Sequence, residues 1–137
     1  MAILIAEGLF RVDGDRAVLK GSRRRGSGRV KFPAERPELF DNDTDIELID
    51  LSTEGTLFTF TTQQFPPPLP YKGTRDPAQF QPYIVGYVEL PEGLLVESLI
   101  VAANADDLRI GQQMISTTSD FESADGEVRL TFAFKPA

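Results

Sequence analysis

Val128-Arg-Leu-Thr-Phe-Ala-Phe134 sets a large apolar residue at every second position and polar or small residues between, the clearest strand signature in the chain. Working outward from it, Gln112-Gln-Met-Ile-Ser-Thr117 reads as the strand before, joined across a turn at Ser123-Ala-Asp-Gly126. Residues 94–102 form another strand, and Asn104-Ala-Asp-Asp-Leu108 a single helical turn opened by an Asn cap. In Ile84-Val-Gly-Tyr-Val-Glu-Leu90, Ile84, Val88 and Leu90 face together, and Gly86 marks a barrel bend or bulge. Gly55-Thr-Leu-Phe-Thr-Phe-Thr-Thr62 puts Phe58 and Phe60 on one face with Leu57 and Thr59 on the other, and Thr53-Glu-Gly55 suits a hairpin turn back to Ile46-Glu-Leu-Ile-Asp-Leu51. Near the N-terminus, Asp13-Gly-Asp15 separates two short apolar pieces as a tight turn would. With no long amphipathic helix, these segments predict an all-β chain folded as a small antiparallel barrel of five to six strands. Periodicity alone leaves open which small barrel, or a sandwich, this is.

Composition narrows function more than fold. At 137 residues the chain is long enough to bury a core without disulfides or metal, and one globular unit is expected. Fourteen Lys+Arg against 21 Asp+Glu give a net charge of −7, which opposes generic attraction to nucleic acid. An aromatic platform of Phe58, Phe60, Tyr83 and Tyr87 on an oligonucleotide-binding barrel is therefore the weaker reading, with core or partner-facing roles the stronger. The chain has neither cysteine nor histidine, so the usual nucleophile and base pairings are missing and no catalytic residue is expected. Asp41, Asp43 and Asp45 have an acidic alternation, but the glycine and terminal glutamate of a calcium loop are absent. Ala2-Ile-Leu-Ile-Ala6 is too short for a membrane span and has no basic leader, so a cytoplasmic protein without membrane association is expected.

Two stretches remain for recognition. Lys20-Gly-Ser-Arg-Arg-Arg-Gly-Ser-Gly-Arg-Val-Lys-Phe-Pro33 is strongly basic; its glycines lack the Gly-Lys-Ser/Thr ending of a phosphate loop. Arg23, Arg24 and Arg25 are either a solvated turn or an electrostatic patch for an acidic partner surface or for coenzyme A phosphates. The loop 63–82 holds six of the ten prolines and cannot be an interior strand. A loop this long in a compact domain binds something or is disordered, unless it is a Pro-rich wrap that merely covers the barrel; its large apolar groups favour docking, with Phe65, Pro67, Leu69 and Tyr71 as the candidate residues.

The segments together resemble the DUF35 family, OB-fold proteins with an N-terminal zinc ribbon that accompany thiolase-like and other acyl-CoA enzymes. The resemblance rests on Gly21, Ser22, Arg23, Gly28, Phe32, Pro33, Leu51, Ser52, Gly55 and Thr56, and on Gly-Tyr-Val-Glu-Leu90 and Asp107-Leu-Arg-Ile-Gly111. It implies a metal-free, rubredoxin-like or zinc-ribbon-like hairpin segment over 1–45 and an OB barrel over 46–137. Spacing within the resemblance puts the four vacated zinc-ligand positions at Arg24, Ser27, Glu38 and Asp41, none of which makes a zinc site. Arg24 is then expected to pair with Glu38 or Asp41. Such a pair replaces a structural zinc only weakly: an exposed pair contributes ~0–1 kcal/mol, the metal ~10–16 kcal/mol. The resemblance further implies a non-catalytic accessory subunit in a hetero-oligomer with a thiolase-superfamily or related acyl-CoA enzyme. No cofactor of its own is implied, and a coenzyme A thioester would be met only in complex with that partner. The alternative is a free-standing OB-fold module for single-stranded nucleic acid or another ligand.

Overall fold

The hairpin read at Asp13-Gly-Asp15 is present: β2 (Phe10–Asp13) and β3 (Arg16–Arg24) pair antiparallel, with Phe10 opposite Leu19 and Asp13 opposite Arg16. The computed structural model describes residues 3–4, 9–35, 44–63, 82–122 and 128–137. Before the hairpin stands β1 (Ile3–Leu4); after it come β4 (Val30–Lys31) and β5 (Ile46–Asp50), both antiparallel to β3. Together β2 to β5 make a small sheet.

The remaining strands are β6 (Glu54–Gln63), β7 (Tyr83–Glu89), β8 (Leu95–Ile100), β9 (Gln113–Glu122) and β10 (Val128–Pro136). Their pairing order β10-β8-β7-β6-β9 closes because β9 also pairs with β10, giving a five-stranded barrel of OB type. One seam departs from the antiparallel expectation: β8 and β10 run parallel, Ala133 opposite Leu99 and Phe134 opposite Ile100. β1 extends the sheet by pairing parallel with β10. The Asn104 turn forms as read, a 3₁₀ turn at Ala105–Asp107 whose Asp106 N–H donates to Asn104 Oδ1 (3.0 Å). Among the described residues no helix is long and apolar enough to cross a membrane.

Two expectations are corrected. The hairpin at Thr53-Glu-Gly55 does not form, because β5 pairs with β3 of the small sheet while β6 pairs with β7 and β9. The connector's backbone is held elsewhere: Leu51 N–H donates to the Leu19 carbonyl (2.9 Å), and Ser116 N–H donates to the Thr53 carbonyl (2.7 Å). Ser52 donates from both its amide and its hydroxyl to Glu92 Oε2, at 2.9 and 3.0 Å. Nor does the face alternation read for β6 hold. The register slips between Leu57 and Thr59, a bulge at Phe58, so Leu57 is fully buried and Phe58 exposed although Phe60 still packs on the core.

One apolar cluster serves both sheets. Phe10, Ala17 and Leu19 of the small sheet join Leu57, Val88, Val96, Met114 and Phe134 of the barrel. The β9–β10 hairpin makes this possible, since it is longer than barrel closure requires. Near Ser116 and Phe134 it seals the barrel, whereas further along Phe132 meets Phe10 and Phe32 edge-on at centroid distances of 5.8 and 5.6 Å. Gly86 lies where the barrel wall is close, for a Cβ there would come within 3.0 Å of Ile100 Cγ1 and of the Thr59 carbonyl.

Candidate functional site: the ribbon turn and the outer barrel face

The turn after β3 carries the basic stretch. Arg24 N–H donates to the Arg29 carbonyl (2.8 Å) and Gly28 N–H to the Arg24 carbonyl (2.7 Å), closing a tight loop over Arg24–Arg29. Asp45 pins its far side: Arg25 N–H donates to the Asp45 carbonyl and Gly26 N–H to Asp45 Oδ1, each at 2.8 Å. Within this frame the Arg24 guanidinium makes a forked pair with Glu35, Nε to Oε2 at 3.0 Å and Nη2 to Oε1 at 3.1 Å, and lies 3.7 Å from Asp45 Oδ2. Lys31 Nζ stands 3.6 Å from Glu35, and Glu35 N–H donates to the buried Ser22 hydroxyl (2.9 Å). Donation from Arg24, with the charges of Arg24 and Lys31, holds the Glu35 carboxyl below its ordinary range, against the opposing effect of desolvation.

Zinc ligation is not open to Arg24, which stands at one of the four positions the resemblance gives as former ligands: its guanidinium is engaged by carboxylates, repels a metal and offers it no lone pair. Ser27 uses its hydroxyl to accept from Arg29 N–H (3.3 Å). Glu38 and Asp41 lie outside the described residues. Arg24 thus finds carboxylates at Glu35 and Asp45, which the spacing argument did not single out. Only Asp45 carried a signal, as the residue immediately before a strand.

Of the arginine patch, Arg23 faces Glu47 across the β3–β5 register at 3.3 Å and Arg24 is engaged as described, while Arg25 is exposed. Lys20 and Arg11 converge on Asp50 at 2.6 and 3.0 Å, and their hydrogen bonds hold its carboxyl below the ordinary value. The basic stretch is therefore largely neutralised within its own sheet. Phe65, Pro67, Leu69 and Tyr71 lie outside the described residues.

On the barrel, a cleft of about 430 Å³ opens between Thr62, Pro82 and Tyr83 on one side and Ile100, Ala102 and Asn104 on the other. Among the described residues that line it none carries a charged side chain. The outer face of β6, β7 and β8 is different in kind: Phe58, Tyr87 and Leu95 are exposed there. The Leu-Arg-Ile-Gly111 motif explains Phe58. Gly111, at φ +94°, donates its N–H to the Leu57 carbonyl (2.7 Å), and Leu57 N–H donates to the Gln112 carbonyl (3.0 Å). Leu57 is thereby bound to the turn before β9, and the next residue is displaced outward. Phe58 and Tyr87 do share a face, as an oligonucleotide platform needs, but Phe60 packs against the core. The three strands carry Glu54, Glu89 and Glu97 and no Lys or Arg.

Comparison with known proteins places this architecture. Residues 48–117 match the family described as the ChsH2 C-terminal OB-fold domain. A DUF35 domain-containing scaffold protein of Methanocaldococcus jannaschii is 28% identical over 126 residues, covering 89% of this chain and 84% of its own length. One of Methanothermobacter thermautotrophicus, also described as a DUF35 domain-containing scaffold protein, is 30% identical over 122 residues, covering 86% of each. A chain of the solved Ltp2-ChsH2(DUF35) aldolase superposes with a TM-score of 0.54 over 91% of this chain and 96% of that one, at 20% identity.

Proposed function

Because this chain belongs to the DUF35 family, with a ChsH2-type OB-fold domain in its C-terminal part, we propose that it is a non-catalytic accessory subunit. It docks on a thiolase-superfamily or related acyl-CoA enzyme in the cytoplasm and supports that enzyme's assembly or activity. The observation that carries this reading is the near full-length match to two relatives described as scaffold proteins. Chemistry supports it too. A chain without Cys or His has few ways to activate a nucleophile, and the described residues lining the cleft add no charged side chain. The ion pairs around Arg24 support a chain that needs no resident zinc, and a coenzyme A thioester is met only on the partner.

Purification of the tagged full chain from its own cells tests the proposal. An acyl-CoA enzyme subunit should co-purify in fixed stoichiometry and should lose activity or assembly when this chain is withheld. Turnover of an acyl-CoA by the isolated chain, or zinc retained in it at one equivalent, would overturn the reading.

A further inference from the structure

Along β8 burial alternates residue by residue, Val96, Ser98 and Ile100 inward and Leu95 and Glu97 outward. In β7 Gly86 and Val88 are inside while Tyr87 and Glu89 are outside. The register sets Glu89 opposite Leu95 and Tyr87 opposite Glu97, so apolar and acidic side chains form a checkerboard on one rigid surface. Phe58, raised by the bulge, stands beside Tyr87. Relative exposures of 52% for Phe58, 42% for Tyr87 and 43% for Leu95 leave three large apolar groups half in water on neighbouring strands. Aromatics fixed on a sheet lose little entropy when covered, the property of interface anchors. The charge on this face has a single sign, Glu54, Glu89 and Glu97. Such a face repels phosphate backbones and anionic lipids, and it complements a protein surface with an apolar centre and a Lys/Arg rim.

We propose that the outer face of β6, β7 and β8, centred on Phe58 and Tyr87, is the surface on which this chain docks a protein partner with an apolar, basic-rimmed patch. The inference rests on the accessory-subunit reading and names where that subunit meets its enzyme. Leu57, Gly111 and Gln112 are positioning residues for the surface, since their backbone bonds hold Phe58 outward before any partner arrives.

The test is photocrosslinking in the cells the protein comes from, with p-benzoylphenylalanine replacing Tyr87 in one full-length variant and Val12, exposed on the small sheet, in another. The expected result is an adduct from position 87, far weaker from position 12, with an acyl-CoA enzyme subunit whose crosslinked peptide carries Lys or Arg beside apolar residues. Adding Glu89→Lys and Glu97→Lys should cut the adduct roughly tenfold with circular dichroism and melting unchanged. A position-87 adduct with a protein of another class supports the surface and overturns the accessory reading. Comparable yield at both positions, adducts from position 12 alone, none at either, or position-87 adducts only with nucleic acid or a second copy would each overturn the surface. The accessory reading then stands or falls on co-purification of the unsubstituted chain.

Discussion

In the barrel, Leu57, Val88, Met114 and Phe134 are fully buried, and the strands around them close into a continuous hydrogen-bonded ring. The small sheet instead contributes Phe10, Ala17 and Leu19 to a core whose larger part lies in the barrel, and ties its strands by Arg11–Asp50, Lys20–Asp50, Arg23–Glu47 and Arg24–Glu35 pairs. The barrel carries its own reason to fold; the small sheet relies on a neighbour for its apolar seat and on charge for the remainder. The small sheet thus takes its apolar seat from the chain that follows, here the extended β9–β10 hairpin. Exposed ion pairs alone would be too weak.

The largest expected effect breaks the barrel side of this contrast. Phe134→Ala removes a fully buried ring at the barrel seal and should cost about 3–5 kcal/mol in urea unfolding, lowering the stability of both sheets together. Phe132→Ala removes the ring shared with Phe10 and Phe32 and should cost about 2 kcal/mol, as a partly buried site loses less. Its amide-exchange protection should fall first in β2 to β5, and a uniform loss would mean that the two regions do not differ in this way. Gly111→Ala forces an L side chain to φ +94° and should cost about 1–2 kcal/mol, with NMR shift changes concentrated at Leu57 and Phe58.

The smallest effects lie in the charges. Arg24→Ala should leave the melting temperature nearly unchanged while amides of the Arg24–Arg29 turn exchange several-fold faster. The pH dependence has a definite sign. Glu35 and Asp50 both have folded pKa values below their ordinary 4.5 and 3.8, so their contribution is complete above those values and is lost as pH falls through the depressed ones. Protection factors in β3 and β5 should therefore decline below about pH 4.5 ahead of those in β6 to β8. Simultaneous decline would erase the distinction.

Much of the fold was legible because it is local. Alternation placed the strands, Asp13-Gly-Asp15 and Asn104 marked turns whose hydrogen bonds span a few residues, and the absence of Cys and His ruled out a thiolate or imidazole metal site before any coordinates. The docking face was half legible. Tyr87 followed its strand's period, whereas Phe58 was assigned to the same face as Phe60 because a period of two assumes an unbroken register.

What the sequence alone determined, then, is an acidic all-β chain without cysteine or histidine, since composition and short-range pattern depend on neighbours along the chain. Tertiary structure decided that β5 belongs to the small sheet, that Arg24 finds Glu35 and Asp45, and that Gly111 turns Phe58 outward. Each of those depends on groups brought together by the chain's path through space, and a hydrogen bond or ion pair between distant segments leaves no periodic trace in either of them.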